Sequence, residues 1–349
     1  MKKTFFLIII LIILAMLSGW LFKLIFLGQS GNGQYKTFTI AEGQGVNVIS
    51  HNLKQAGLID NSFVFETYLW LKKSENKILA GEHALSDNWS LRQLVIALVS
   101  GNSIENERMI KIIEGWNMRD VAQYLEKEGV ATSKEFQDVV GYPGVDYNYN
   151  KELSKPEDFS SDYSRLNDKP KNLSWEGYLF PDTYRIFKGA KVEDIARKML
   201  NNFQKKITDQ MMSDVKARKM SLFEIITLAS IIEKEADTLE NKKRVAGVYY
   251  NRLEKGMALQ ADPTVNYVTN KVTDRPSLDD IESDSPYNTY KYPGLPLGPI
   301  CNPGLDSIMA AIYPEKNNYY FFINTPRGEM IFANTFEEHK ANRLKYFND

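Results

Sequence analysis

The chain has 349 residues, 43% of them apolar and 25% charged, and a formal net charge of −1. That length holds two or three compact units, and the balanced charge gives no global field to draw in nucleic acid. One cysteine, Cys301, excludes an intramolecular disulfide, and the three histidines (His51, His83, His339) lack zinc-site spacing, so no metal or cofactor is expected.

The chain begins with "MKK" and an apolar stretch from about Phe5 to Leu27, broken only by Lys23. Roughly 20 apolar residues cross a bilayer as a helix, and Lys23 is close enough to one end to snorkel. A cleaved signal peptide would have a shorter core and a small-x-small cleavage site, which "AMLSGW" supplies poorly. No cysteine follows to mark a lipoprotein. The stretch reads as an uncleaved anchor. Lys2 and Lys3 keep the N-terminus in the cytoplasm, which puts everything after residue 28 outside.

A weak internal repeat follows the linker "GQSGNGQ". Residues 38–58, "FTIAEGQGVNVISHNLKQAGL", align at an offset of 72 with residues 110–130, "IKIIEGWNMRDVAQYLEKEGV". Glu42-Gly43 meets Glu114-Gly115, Leu53 meets Leu125, and Gly57 meets Gly129. Each copy predicts a short strand, a Gly turn and an amphipathic helix closed by glycine. Between the copies, "AGEHALSDNWSLRQLVIALVSGN" predicts another strand, turn and helix, with Asp87 or Ser90 as N-cap.

Residues 141–172 are polar, Pro-interrupted and free of apolar periodicity, which marks a long loop or insertion, with a flap as one role open to it. The aromatic "WEGYLFPDTYRIFKGA" comes next, then helical periodicity from Val192 to about Gln210, a helix around 221–236 and another around 240–255. From Asp262 the chain reads as loop-rich, and it closes with a helix at about 304–313, a hairpin "YYFFINTPRGEMIFA" and a helix from Thr335. Strands and helices without βαβ alternation predict an α+β fold.

The helix "SLFEIITLASIIEKEADTLE" is nearly apolar all round in its first two turns. Glu233 lies at one edge of its apolar face, beside Ile226 and Ala229. Glu235 lies at the other edge, near Leu228 and Ile231. Residues two apart point almost oppositely, so the two cannot serve as a paired acid and base on one sugar. The helical wheel does not choose between them. Both could equally be solvated helix-end residues, paired with Lys234, Lys242 or Arg244.

Several motifs in one order, "EGYLFPDTY", "ASIIEKE", "RVAGVYYNRLEKGMALQADPTV" and "SPYNTYKYPGLPLGPICNPG", resemble the MltG/YceG-like family of endolytic murein transglycosylases. The resemblance runs from roughly Thr37 to the C-terminus and takes in the anchor and a LysM-like organisation of the Glu-Gly repeat. It implies cleavage of the MurNAc-β-1,4-GlcNAc bond without water. One carboxylic acid protonates the leaving oxygen, then accepts the proton of the C6 hydroxyl as a 1,6-anhydro ring closes. It implies Glu233, the first glutamate of "IIEKE", as that acid/base. By motif it also carries substrate contacts onto Gln260, Asp262, Thr264, Tyr287, Asn288, Thr289 and Tyr290, with Glu176 and Tyr178 as further candidates; Cys301 and His339 read as structural.

The division so implied is a cytoplasmic tail at 1–4, a transmembrane anchor at 5–27, a linker and LysM-like module at 28–107, and an α+β catalytic domain at 108–349. The last contains a second LysM-like unit at about 108–140 and the insertion at 141–172. The expected partners are glycan strands, the cytoplasmic membrane of a bacterium and peptidoglycan synthases, with strand termination as the outcome. Two other readings stand beside this one. A hydrolytic muramidase would need a second carboxylate, Glu176 or Asp262, to activate water. A catalytically idle, wall-binding scaffold would use only the LysM-like units.

Overall fold

The computed structural model describes residues 25, 35–99, 107–271 and 275–347. Apart from Ile25, the apolar stretch expected to cross the membrane lies outside the described residues, and no helix among them is long and apolar enough to do so. The fold is mixed α+β, and the chain divides into two compact units, one up to Arg108 and the other from Met109 onward.

In the first unit, β1 (Tyr35–Ile40) pairs antiparallel with β2 (Gly81–Ser86), with Phe38 opposite His83. Alternation turns Phe38 and Ile40 inward. Helices α1 (Val46–Gln55) and α2 (Ser62–Leu71) lie between the strands in sequence, and α3 (Leu91–Val99) follows them. Ile49, Leu53, Phe65, Leu69, Leu85, Leu94 and Leu98 form one core. Helix α2 had no sequence expectation; Asn61 starts it, its side chain accepting the Phe63 and Val64 N–H groups. Of the two residues offered as cap for α3, Ser90 takes the role, because Gln93 N–H donates to its hydroxyl.

The second unit repeats this order. Strand β3 (Glu107–Lys111) leads to α4 (Met118–Lys127) and α5 (Ser133–Val140), and β4 (Thr183–Phe187) returns beside β3. The equivalent glycines share one geometry: Gly43 and Gly115 have φ of +76° and +78°, and Gly57 and Gly129 have +65° and +61°. These are left-handed conformations that favour glycine.

The polar insertion packs into this unit. Tyr147, Phe159, Tyr163 and Leu166 are buried, and the Trp175 indole donates to Glu157 O at 2.8 Å. None of its residues lines the large cleft onto which Glu235 opens, so the flap role has no support in its packing.

The rest of the unit is a helical body: α6 (Val192–Lys206), α7 (Asp209–Ala217), α8 (Leu222–Glu235), α9 (Leu239–Glu254), α10 (Asp262–Thr269), α11 (Leu278–Ile281), α12 (Leu305–Ile312) and α13 (Phe336–Phe347). The hairpin of β5 (Phe321–Asn324) and β6 (Met330–Ala333) precedes α13. Helix α8 opens with a capping box between Ser221 and Glu224, and every residue from Ile225 to Ile232 is buried against α9, α12 and their neighbours. The loop expected after Asp262 is instead α10, with proline in its first turn, where the missing N–H costs nothing.

Candidate active site

At the C-terminal end of α8 the two glutamates part. Glu233 has a side chain only 8% exposed and faces the interior. The Lys242 ammonium is 3.2 Å from its Oε2, which also accepts the Gly304 N–H at 3.1 Å and the Ser307 hydroxyl. Glu235 faces a cleft of about 1360 Å³, lined by Trp116, Tyr249, Arg252, Gln260, Asp262 and Tyr290 among others. Glu233 is not among the lining residues. The acid/base role that the resemblance assigns to Glu233 thus meets a carboxylate already enclosed by three donors, while its neighbour two positions on reaches the open space.

Burial raises the Glu235 carboxyl to about 7; the Tyr249 hydroxyl, which donates to it at 3.0 Å, pulls the other way, Asp262 adds to the rise and Arg252 opposes it. Tyr249 and Arg252 stand one turn apart on α9, so the rigid contact of α8 with α9 fixes this environment. Arg252 is buried, donating to the carbonyls of Tyr320 and Leu259, with its guanidinium 5.2 Å from the Phe321 ring centroid. The hairpin is tied to the same point, since the Asn324 side-chain amide donates to Glu235 O at 3.2 Å.

The expected substrate-contacting residues divide. Gln260, Asp262 and Tyr290 line the cleft, and the Tyr290 hydroxyl donates to the Asp262 carboxylate. Thr264, Tyr287, Asn288 and Thr289 are buried and do not line it. The Thr264 and Thr289 hydroxyls share a 2.9 Å bond, and Thr289 Oγ1 also accepts the Ala261 N–H. Asn288 donates to the carbonyls of Ile281 and Ser283, and Tyr287 packs on the Tyr267 ring. These four shape the loop that presents Gln260 and Tyr290. Gln260 itself has φ +47°, and its N–H donates to Thr289 O at 3.0 Å.

Glu176 is also buried, behind the cleft wall. It accepts the Met118 N–H and the Tyr267 hydroxyl, each at 3.1 Å, and the Asn302 amide at 3.3 Å, and burial pushes its carboxyl up to about 8. Tyr178 is buried as well. Cys301, read as structural, is buried with its thiol on Ser230 O. His339, also read as structural, packs on the Phe321 and Phe336 rings and lines the cleft.

Two contributors had no role in the sequence reading. Asn302, fully buried, accepts the Gly177 and Leu179 N–H groups and donates to Trp116 O. Its backbone exchanges bonds with Gly115 and Trp116, so it joins the "EGYLF" segment, the Glu-Gly turn and the "ICNPG" loop. The second is Glu114, whose carboxyl burial and the nearby Glu233 raise above its ordinary range. A Cβ on Gly304 would lie 2.2 Å from Glu114 Cδ, so only glycine lets the loop approach so closely. The repeated Glu-Gly was the available signal for Glu114; nothing local pointed to Asn302.

The model of the YceG-like family matches residues 38–345. A protein named endolytic murein transglycosylase from Bacillus subtilis (strain 168) is 33% identical over 312 residues, 88% of this chain and 84% of that protein. One of the same name from Streptococcus pneumoniae serotype 2 is 30% identical over 336 residues; the match spans 92% of this chain and 60% of the longer pneumococcal protein. The crystal structure of a YceG-like protein from Listeria monocytogenes superposes with a TM-score of 0.57 at 31% identity, covering 89% of this chain and all of the other.

Proposed function

The chain belongs to the YceG-like family, and on that footing we propose that it is an endolytic murein transglycosylase in which Glu235 is the single acid/base. The observation that carries the assignment is the half-buried Glu235 carboxyl on the cleft, raised to about 7. At neutral pH a large fraction of that acid is protonated. It can therefore donate its proton to the glycosidic oxygen between muramic acid and N-acetylglucosamine as that bond breaks. The carboxylate left behind accepts hydrogen from the Tyr249 hydroxyl and lies near Arg252. Both favour the charged form, so the proton is released when the leaving group needs it. Glu235 then takes the proton of the muramic C6 hydroxyl as that oxygen closes on C1. The acid is restored and the product is a 1,6-anhydro end. Asp262, held by Tyr290, offers negative charge on the same cleft for the oxocarbenium-like carbon.

In this reading the protein is a membrane-anchored, extracytoplasmic enzyme with its N-terminus in the cytoplasm. Its two strand–helix–helix–strand units are LysM-like holds on glycan, and it ends nascent strands beside their synthase. One observation favours a second reading: Asp262 shares the cleft with Glu235 and is felt by it, as the base of a hydrolytic muramidase would be. Mass spectrometry of murein digested by the purified protein separates the two. Anhydro ends, one water lighter, support the lyase; reducing ends establish the hydrolase. Glu235→Gln should abolish either product, and near-parental cleavage by that variant would remove Glu235 from the role.

A further inference from the structure

The cleft carries more positive charge than the reaction uses. Its described lining residues include Arg119, Lys234, Arg252, Lys271, Arg275 and Arg343 against Asp120, Glu235 and Asp262, in a chain whose net charge is −1. Of these cations Lys271 is paired with Asp280 at 2.6 Å and Arg252 lies near Glu235.

Part of this charge forms one run leading away from the acid. Arg252 is close enough to Glu235 to lower its carboxyl. The Phe321 ring joins Arg252 to His339, with the guanidinium 5.2 Å and the imidazole 5.3 Å from its centroid, and burial, then Arg343 and Arg252, depress His339. His339, Arg343 and Phe347 follow at four-residue steps on one face of α13, and the Arg275 guanidinium sits 5.0 Å from the Phe347 ring centroid. Arg275 and Arg343 are exposed, and among the described residues neither forms an ion pair with a carboxylate. Like charges set side by side repel one another. A neutral amino-sugar chain would offer them nothing. Murein differs from such a chain in the lactyl group of its muramic residue, which ends in a carboxylate or carries a peptide bearing carboxylates.

We propose that the wall formed by Arg252, His339, Arg343 and Arg275 is a carboxylate subsite that engages the acidic substituent of the muramic residue. The proposal rests on the reading of the protein as a murein transglycosylase. Forked, planar guanidinium groups suit a carboxylate better than any other side chain. The subsite would distinguish murein from neutral glycan of the same backbone and would fix which of the alternating sugars meets Glu235.

The test uses the full chain and three sets of soluble, uncrosslinked glycan strands: peptide-bearing, peptide-bearing with carboxylates methyl-esterified, and amidase-stripped with only the lactyl carboxylate. For the parent, esterification should raise KM about tenfold, the size of one lost charge-assisted contact, with kcat little changed. The double variant Arg275→Gln/Arg343→Gln should lose the same factor on peptide-bearing strands and nothing further on esterified ones. If stripped strands bind the parent as tightly as peptide-bearing ones, the subsite also accepts the lactyl carboxylate that amidase exposes; if they match the esterified set, it takes only the carboxylates of the stem peptide. Equal KM for acidic and esterified strands overturns the subsite. Should the parent cleave no strand at all, the murein reading fails. The subsite is then judged separately by the His339 titration, followed by NMR in the Glu235→Gln protein. Peptide-bearing strands should raise it and neutral chito-oligosaccharide should not; no difference between them overturns the proposal without reference to turnover.

Discussion

Glu233 and Glu235, two residues apart on the last turn of α8, hold opposite kinds of partner: Glu233 faces the buried Lys242 ammonium at 3.2 Å, and Glu235 faces the Tyr249 hydroxyl at 3.0 Å on the cleft. Steps of about 100° per residue put them on opposite sides of the helix, so substitution should separate their roles. Glu235→Gln should remove activity and leave the melting temperature within a few degrees of the parent. Glu233→Gln should leave Lys242 without its counter-ion in a site where both side chains are under a tenth exposed. A broken buried pair costs about 3–5 kcal/mol, so the loss should appear first in chemical denaturation. An inactive, fully stable Glu233→Gln protein would return the acid/base role to Glu233.

The contact of Glu114 with Gly304 makes a second, reciprocal prediction. Gly304→Ala would drive a methyl group into the Glu114 carboxyl, 2.2 Å from Cδ, beside the buried Glu233 network. Overpacking of this kind costs about 1–3 kcal/mol. Shortening the partner should restore room, so Glu114→Ala/Gly304→Ala should be more stable than the sum of the single changes. Additive losses in that double-mutant cycle would mean the two residues do not press on one another.

Much of this architecture could be read in advance, and the limits of that reading are physical. The apolar run of α8, its capping box and the Glu-Gly repeat are local patterns, and local patterns announce themselves. Which glutamate faces the cleft is not local. The wheel places both at edges of the apolar face, and the choice is made by Lys242, Ser307 and Tyr249, which arrive from other helices. The Asn302 junction spans 125 residues to Gly177 and could not be seen from spacing. "YNTY" mixes both cases: Tyr290 reaches the cleft, while Asn288 and Thr289 spend their polar groups on the backbone and on Thr264. In Asp262-Pro263 a turn signal and a helix start are the same two residues, and only the packing of Thr264, Val265 and Tyr267 distinguishes them.

Glu176 should make stability depend on pH. Its carboxyl is raised from an unfolded value near 4.5 to about 8, so between those values the folded protein holds a proton that the unfolded chain has lost. The stability this contributes is fully present below about pH 4.5 and is lost as the pH climbs to about 8. Glu176→Gln removes the titrating group, so the fall in melting temperature between pH 5 and about 8 should be shallower than in the parent. A parent whose stability rises across this window, or a variant with the same slope, would contradict a protonated Glu176.

The same sign argument governs catalysis through Glu235. The protonated form starts the reaction, so kcat/KM should decline as the pH passes through about 7. The neighbours set where that decline falls. Asp262 raises the Glu235 carboxyl, and Asp262→Asn should move the alkaline limb to lower pH. The Tyr249 hydrogen bond lowers it, and Tyr249→Phe should move the limb to higher pH while slowing the step in which the carboxylate must exist. Opposite shifts from two neighbours of one carboxyl are hard to produce by general damage to the fold. Shifts in a common direction, or a limb that ignores both changes, would show that another group carries the proton.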